Sequence, residues 1–126
     1  MTKLAPIAAL LLTLHPASFA AGPAAVRTVA ADGFTLELTD ADREREAEIR
    51  GLVARGRGTV ETFFGRPFPR GVTVKLFPDR AALTAFWRED WKAPDLVPEC
   101  WMVASGTARS LALLSPGVWK KEACDH

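Results

Sequence analysis

Two stretches of strand periodicity separated by one long stretch of helical periodicity constrain this chain more than any other feature. Residues 34–38 (Phe34-Thr35-Leu36-Glu37-Leu38) alternate apolar and polar side chains, and residues 72–77 (Val72-Thr73-Val74-Lys75-Leu76-Phe77) do so again. Successive strand residues point to opposite faces, so each run reads as a strand with its apolar set on one side. Between them Ile49, Leu52, Val53, Val60, Phe63 and Phe64 recur at the spacing of one helix face. Thr39 or Asp40 suits the N-cap, and Asp42, Glu44, Glu46 and Glu48 crowd the first turns, where the helix dipole favours negative charge. Gly65 followed by Pro67 ends the helix. A right-handed crossover then lays the two strands parallel.

The same reading continues downstream. Pro78-Asp79 stops the second strand and caps a helix from Arg80 to about Trp91, with Leu83, Phe86 and Trp87 on its buried face. Pro94 and Pro98 keep the following link extended. Residues 100–105 and 109–114 form two short strands joined through Gly106-Thr107-Ala108, where glycine suits a hairpin turn. Ser115-Pro116 opens a last helical piece that carries Trp119. The order strand, helix, strand, helix, hairpin, helix predicts an α+β fold: a small mixed sheet whose helices cover one face. Gly51, Gly56 and Gly58 each weaken the long helix by up to about 1 kcal/mol relative to alanine, so a kink or a close packing partner is expected there.

The first 20 residues read differently. Met1-Thr2-Lys3 supplies one positive charge, residues 4–14 are apolar apart from Thr13, and Ser18 and Ala20 are small. This is the pattern of a cleavable secretory signal with cleavage after Ala20. The apolar run is shorter than the roughly 18 residues that spanning needs, and Pro6 and Pro16 flank it. The chain is therefore expected to be exported, periplasmic or secreted, with no membrane association after cleavage. Residues 21–32 are rich in small side chains and read as a flexible leader, and residues 33–126 as the folded part. The chain has 16 Lys and Arg against 15 Asp and Glu, and loss of Lys3 with the signal equalises them. Balanced, interspersed charge gives no electrostatic case for nucleic acid. The two cysteines, Cys100 and Cys124, are separated by a long loop. In an oxidising compartment such a pair reads as a disulfide, two buried thiols being the alternative.

Catalytic chemistry needs converging groups, and the inventory is thin. His15 leaves with the signal and His126 is the last residue. There is no His-Glu-x-x-His pair to bring two imidazoles onto one helix face, so the expectation is that this chain supplies no catalytic residue and no metal ligand. Glu44, Glu46 and Glu48 read as solvated helix surface. Phe86, Trp87, Trp91 and Trp101 form either a helix-on-sheet core or a binding groove, the core being the simpler reading. Arg66 and Arg70 flank Pro67 and Pro69 as turn residues or as an anion clamp. The segment Trp101-Met102-Val103-Ala104-Ser105-Gly106 is more suggestive, because a short strand of small residues can leave one side unpaired and accept an extended peptide.

Three stretches carry a resemblance that covers about two thirds of the chain. They are Val60-Glu61-Thr62-Phe63-Phe64-Gly65, Val72-Thr73-Val74-Lys75-Leu76-Phe77-Pro78-Asp79, and Glu99-Cys100-Trp101-Met102-Val103-Ala104-Ser105-Gly106, the last followed by residues 111–116 and by Trp119 to His126. From Asp40 onward the chain resembles the N-terminal half of exported bacterial peptidase-MA-like (gluzincin-type) zinc metallopeptidase domains. The resemblance implies that residues 33–126 are a partial domain. In the complete domain an edge strand aligns the peptide and a later helix bearing His-Glu-x-x-His binds zinc. This sequence contains no such helix, so zinc belongs to the complete family domain and not to these residues. What carries over is a scaffold: Trp101, Met102, Val103, Ala104, Ser105 and Gly106 as the substrate-side edge strand, with Cys100 and Cys124 as the bridge that pins it. Expected partners are an extended peptide or the missing C-terminal half. The alternative is a small exported binding or structural module with one disulfide.

Overall fold

The structure, a computed structural model, describes residues 25–119. The expected signal (residues 1–20), the first part of the leader, Cys124 and His126 lie outside the described residues. The elements are β1 (Val26–Ala31), β2 (Phe34–Thr39), a 3₁₀ helix (Asp40–Arg45), α1 (Glu46–Phe64), β3 (Val72–Phe77), α2 (Arg80–Asp90), β4 (Ala104–Gly106), β5 (Ser110–Leu114) and α3 (Pro116–Trp119). This is the α+β fold with a mixed sheet that the sequence predicts. Among the described residues no helix is long and apolar enough to cross a membrane.

The five strands lie in the order β1-β2-β3-β5-β4. β2 and β3 are parallel, with Phe34 opposite Val72, so the crossover through α1 runs as expected. β5 also lies parallel to β3, pairing Thr73 with Ser110 and Phe77 with Leu114. β4 is antiparallel to β5 and occupies the outer position. The hairpin thus inserts its second strand beside β3 and leaves its first at the edge.

Residues 26–31 depart from the flexible leader expected of them. They form β1, which pairs antiparallel with β2 from Val26 opposite Thr39 to Ala31 opposite Phe34. The turn is Asp32-Gly33, with φ of 42° and 88°. Two consecutive positive φ values are what a two-residue hairpin matching the strand twist requires, and Asp-Gly supplies them at low steric cost. β1 is further tied down by Arg27, whose Nη1 donates to Glu46 Oε2 at 2.6 Å.

Residues 40–64 do not form one continuous α-helix. Asp40–Arg45 is a 3₁₀ segment, entered from an extended Thr39 that makes no capping bond. Within it Asp42 is fully buried, and its Oδ1 accepts from Ser115 Oγ, so the tighter turn brings that carboxylate in under α3. α1 then runs unbroken through Gly51, Gly56 and Gly58. Gly65 closes it in the left-handed conformation, φ 64°, donating its N–H to Glu61 O at 2.8 Å. α2 starts as expected, with Asp79 Oδ1 accepting from the Ala82 N–H at 2.7 Å.

The helices do not share one face of the sheet, contrary to the sequence expectation. Phe34, Leu36, Leu38, Val72, Val74 and Leu76 pack with Ile49 and Val53 of α1, and Leu111 and Leu113 extend that layer. Ala112 and Leu114 point the other way and pack with Leu83 and Trp87 of α2, joined by Phe77 and Phe86. The reason is in the side-chain parity of β3 and β5. On the second face β5 is apolar through Ala112 and Leu114 and β3 ends in Phe77, and that surface also demands cover.

Candidate functional site

β4 is fixed on one side by β5, and among the described residues no strand pairs with its other side. On the inner side Leu114 N–H donates to Val103 O at 2.8 Å and Thr107 N–H to Ser110 O at 2.8 Å. Bonded pairs alternate along an antiparallel ladder, so Ser105 opposite Ala112 is the bonded pair between these two contacts. The N–H and C=O groups of Ala104 and Gly106 consequently point away from β5, along the sheet edge. Side chains alternate as well. Ser105 turns toward α2, and Ala104 lies on the α1 face.

α2 sets the position of this edge. Trp87 is fully buried, and its Nε1 donates to Ser105 Oγ at 2.7 Å. At the start of the same helix Arg80 reaches across to the approach to β4, donating through Nη1 to Met102 O at 3.0 Å and through Nη2 to Cys100 O at 2.8 Å. Arg88 Nε donates to Leu96 O at 2.9 Å and holds the preceding loop. The outer β4 backbone is therefore exposed yet anchored, which is the condition for strand addition at low ordering cost.

Of the six residues expected to form the edge strand, Ala104, Ser105 and Gly106 do so, and Trp101, Met102 and Val103 do not. Met102 N–H donates to Glu99 O in a turn, and Arg80 occupies the carbonyls of Cys100 and Met102. Met102 and Val103 are instead drawn onto the α2-side core, while Trp101 is 66 % exposed. Gly106 belongs to the strand rather than to the turn. Thr107 makes the turn, its Oγ1 accepting from Ser110 N–H at 3.1 Å. A Cβ on Gly106 would meet Leu111 Cδ2 at 2.7 Å, so glycine is needed here for close approach between the hairpin strands.

The other candidates separate in space. Trp87 is core, Phe86 is half-buried over Phe77, and Trp91 stacks on Trp87 with ring centres 5.4 Å apart while remaining accessible. Arg66 lies over the Phe64 ring at 5.9 Å. Arg70 lines a different hollow, with Arg57 and Asp32, so the two arginines do not converge into a clamp. Glu46 is more than solvated surface: hydrogen bonds from Arg27 and then Arg50 hold its carboxyl below the ordinary glutamate range. Glu61 Oε1 accepts from the Phe68 N–H at 2.9 Å and pins the segment after α1. Among the described residues no three His, Cys, Asp or Glu side chains gather where they could hold one ion. Cys100 is exposed on the approach to β4, and its expected partner Cys124 lies outside the described residues.

A second feature adjoins the edge. Between α1 and the sheet lies an open groove of about 400 Å³, walled by Leu52, Gly56 and Val60 of α1 and floored by Ala104, Leu111 and Leu113, with Pro116 and Trp119 also lining it. Its lining is almost entirely apolar. Sequence reasoning missed this groove because it depends on how far α1 spreads across the sheet. Comparison of the chain with family models, with curated proteins and with solved structures returned no match.

Proposed function

We propose that this chain is the exported scaffold of a zinc-metallopeptidase-like domain, the half that offers an edge strand to an extended peptide, and that by itself it hydrolyses nothing. The observation that carries the reading is the pair of outward-facing backbone groups on Ala104 and Gly106, on a strand whose inner side is bonded to β5 and clamped by α2. A peptide laid against that edge gains main-chain hydrogen bonds without disturbing the sheet. The resemblance of residues 99–106 to the substrate-side strand of such domains supports the same role. The carboxylates of Glu46, Asp42 and Glu61 bond Arg27, Ser115 and the Phe68 N–H in turn, and so hold the scaffold together. The contribution of this chain is to bind and orient. A disulfide between Cys100 and Cys124 would tie the approach to β4 to the residues after α3.

The test is a titration of the uniformly ¹⁵N-labelled chain with an unlabelled, extended, β-prone peptide, followed by amide shifts. Shifts centred on Ala104 and Gly106 support the reading. A peptide that binds while leaving these two amides unmoved refutes the edge, and one tightly held zinc per chain, or peptide cleavage by a homogeneous preparation, refutes the inactive scaffold.

A further inference from the structure

We infer that the hollow between the Asp32-Gly33 turn, α1 and the segment after α1 is a binding site for a small zwitterion, an amino acid or dipeptide that carries both an ammonium and a carboxylate. The site is independent of the β4 edge, which lies at the opposite side of the sheet from the β1–β2 turn. Three stretches distant in sequence meet around it: the turn supplies Asp32, α1 supplies Arg57 and Glu61, and the following segment supplies Arg70. They enclose about 430 Å³. That is toward the small end of the range for ligand pockets, about 300–1,000 Å³. The walls are tied to one another. Arg57 Nη1 donates to Asp32 O, Gly71 N–H to Gly33 O at 3.1 Å, and Phe68 N–H to Glu61 Oε1 at 2.9 Å. A site whose walls are already held binds without the cost of ordering them.

The charges sort into one pair and two unpaired groups. Arg57 lies over the Phe34 ring at 6.0 Å and beside Glu61 Oε1 at 3.9 Å, and Glu61 also accepts from Phe68, so these two charges offset each other. Asp32 and Arg70 are left. Among the described residues neither side chain makes a hydrogen bond or an ion pair, although both line the same hollow. A cation and an anion that share one small cavity beyond reach of each other suit a ligand with the opposite charges at its own two ends. The guanidinium of Arg70, with Arg57 on the same wall of charge, takes the carboxylate in its planar fork, and Asp32 takes the ammonium. Phe34 and Phe68, ring centres 5.4 Å apart, give the apolar side against which the ligand's side chain rests. A simple anion would meet the Asp32 charge uncompensated, and a simple cation would meet that of Arg70.

The experiment titrates the ¹⁵N-labelled chain with the dipeptide alanyl-leucine, with its N-acetylated form and with its C-amidated form. Amide shifts at Gly33, Phe68 and Arg70 are expected with the free dipeptide, and blocking either end is expected to weaken binding about tenfold or more. Asp32→Asn keeps a residue that tolerates positive φ at the turn and should erase the preference for the free ammonium while retaining that for the carboxylate. Arg70→Gln should do the converse, and the effects of the two variants on melting temperature should add. Four results overturn the site: no shift at these amides, blocked dipeptides that bind as tightly as the free one, melting effects that fail to add, which would pair Asp32 with Arg70, or displacement of residues 1–24 or 120–126 by the dipeptide, which would give the hollow to the chain's own ends. Shifts confined to Ala104 and Gly106 overturn it too and leave the edge strand standing.

Discussion

The contact between Trp87 and Ser105 is where the core and the candidate site meet, so Trp87→Phe reports on both. The indole is fully buried between α2 and β5 and donates to Ser105 Oγ at 2.7 Å. Phenylalanine keeps most of the packing and loses the donor. The missing hydrogen bond costs about 0.5–1.5 kcal/mol, and the volume left where the indole extends beyond a phenyl ring costs about 1–2 kcal/mol more, since full truncation of a buried tryptophan costs about 3–5 kcal/mol. The sum, about 1.5–3.5 kcal/mol, is a large share of the stability of a domain this small and corresponds to a fall in melting temperature on the order of 6–28 °C. Urea unfolding followed by far-ultraviolet circular dichroism measures it. Ser105→Ala and the double variant complete a cycle that isolates the hydrogen bond, with a coupling of about 0.5–1.5 kcal/mol expected. A loss below about 0.5 kcal/mol for Trp87→Phe, or a coupling of zero, would show that α2 does not hold the edge strand.

Three further outcomes follow from the same geometry. Arg80→Met removes the donors to Cys100 O and Met102 O and is expected to cost about 1–2 kcal/mol, with amide exchange faster at residues 102–106 than in α1; uniform exchange would contradict the pinning role. Glu46 sits below its ordinary range because Arg27 and Arg50 bond its charged form, so the unfolded chain binds the proton more readily. Its stabilising contribution is complete above the unfolded glutamate pKa and disappears as pH falls through the lower folded value, so Glu46→Gln should flatten the acid limb of melting temperature against pH, and an unchanged limb would remove the Arg27 tie from the account. Reduction of the proposed Cys100 and Cys124 bridge, which closes a loop of about 25 residues, should lower stability by about 3.5 kcal/mol in the chain-entropy picture, and identical melting with and without reductant would dismiss the bridge.

The elements with strong local signals were readable from the chain alone. Val72–Phe77 alternates cleanly, Asp79 is a capping residue ahead of an apolar helix face, and Gly65 meets the left-handed conformation that ends α1. Those features act within a few residues, so sequence order carries them. β1 escaped because it carries little apolar alternation: Arg27 and Thr28 interrupt it, and the face toward α1 is built of Arg27, Val29 and Ala31. Its one clear mark was Asp32-Gly33, a two-residue hairpin signature whose meaning depends on Phe34–Thr39 being the partner strand. The edge strand was recognised as a stretch and misjudged in extent, because Arg80, twenty or more residues away in sequence, takes the carbonyls of Cys100 and Met102.

What the sequence determined by itself is therefore the order of elements from β2 to α3, without the 3₁₀ segment, and the parallel crossover, since period, caps and turn residues are local and the crossover hand is general. Only the tertiary structure decided that the helices take opposite faces, that β5 slips in beside β3, and that β4 ends up outermost with Ala104 and Gly106 turned outward. Those outcomes depend on which of two apolar faces each helix covers and on hydrogen bonds between residues distant along the chain, and neither quantity is written in any short run of residues.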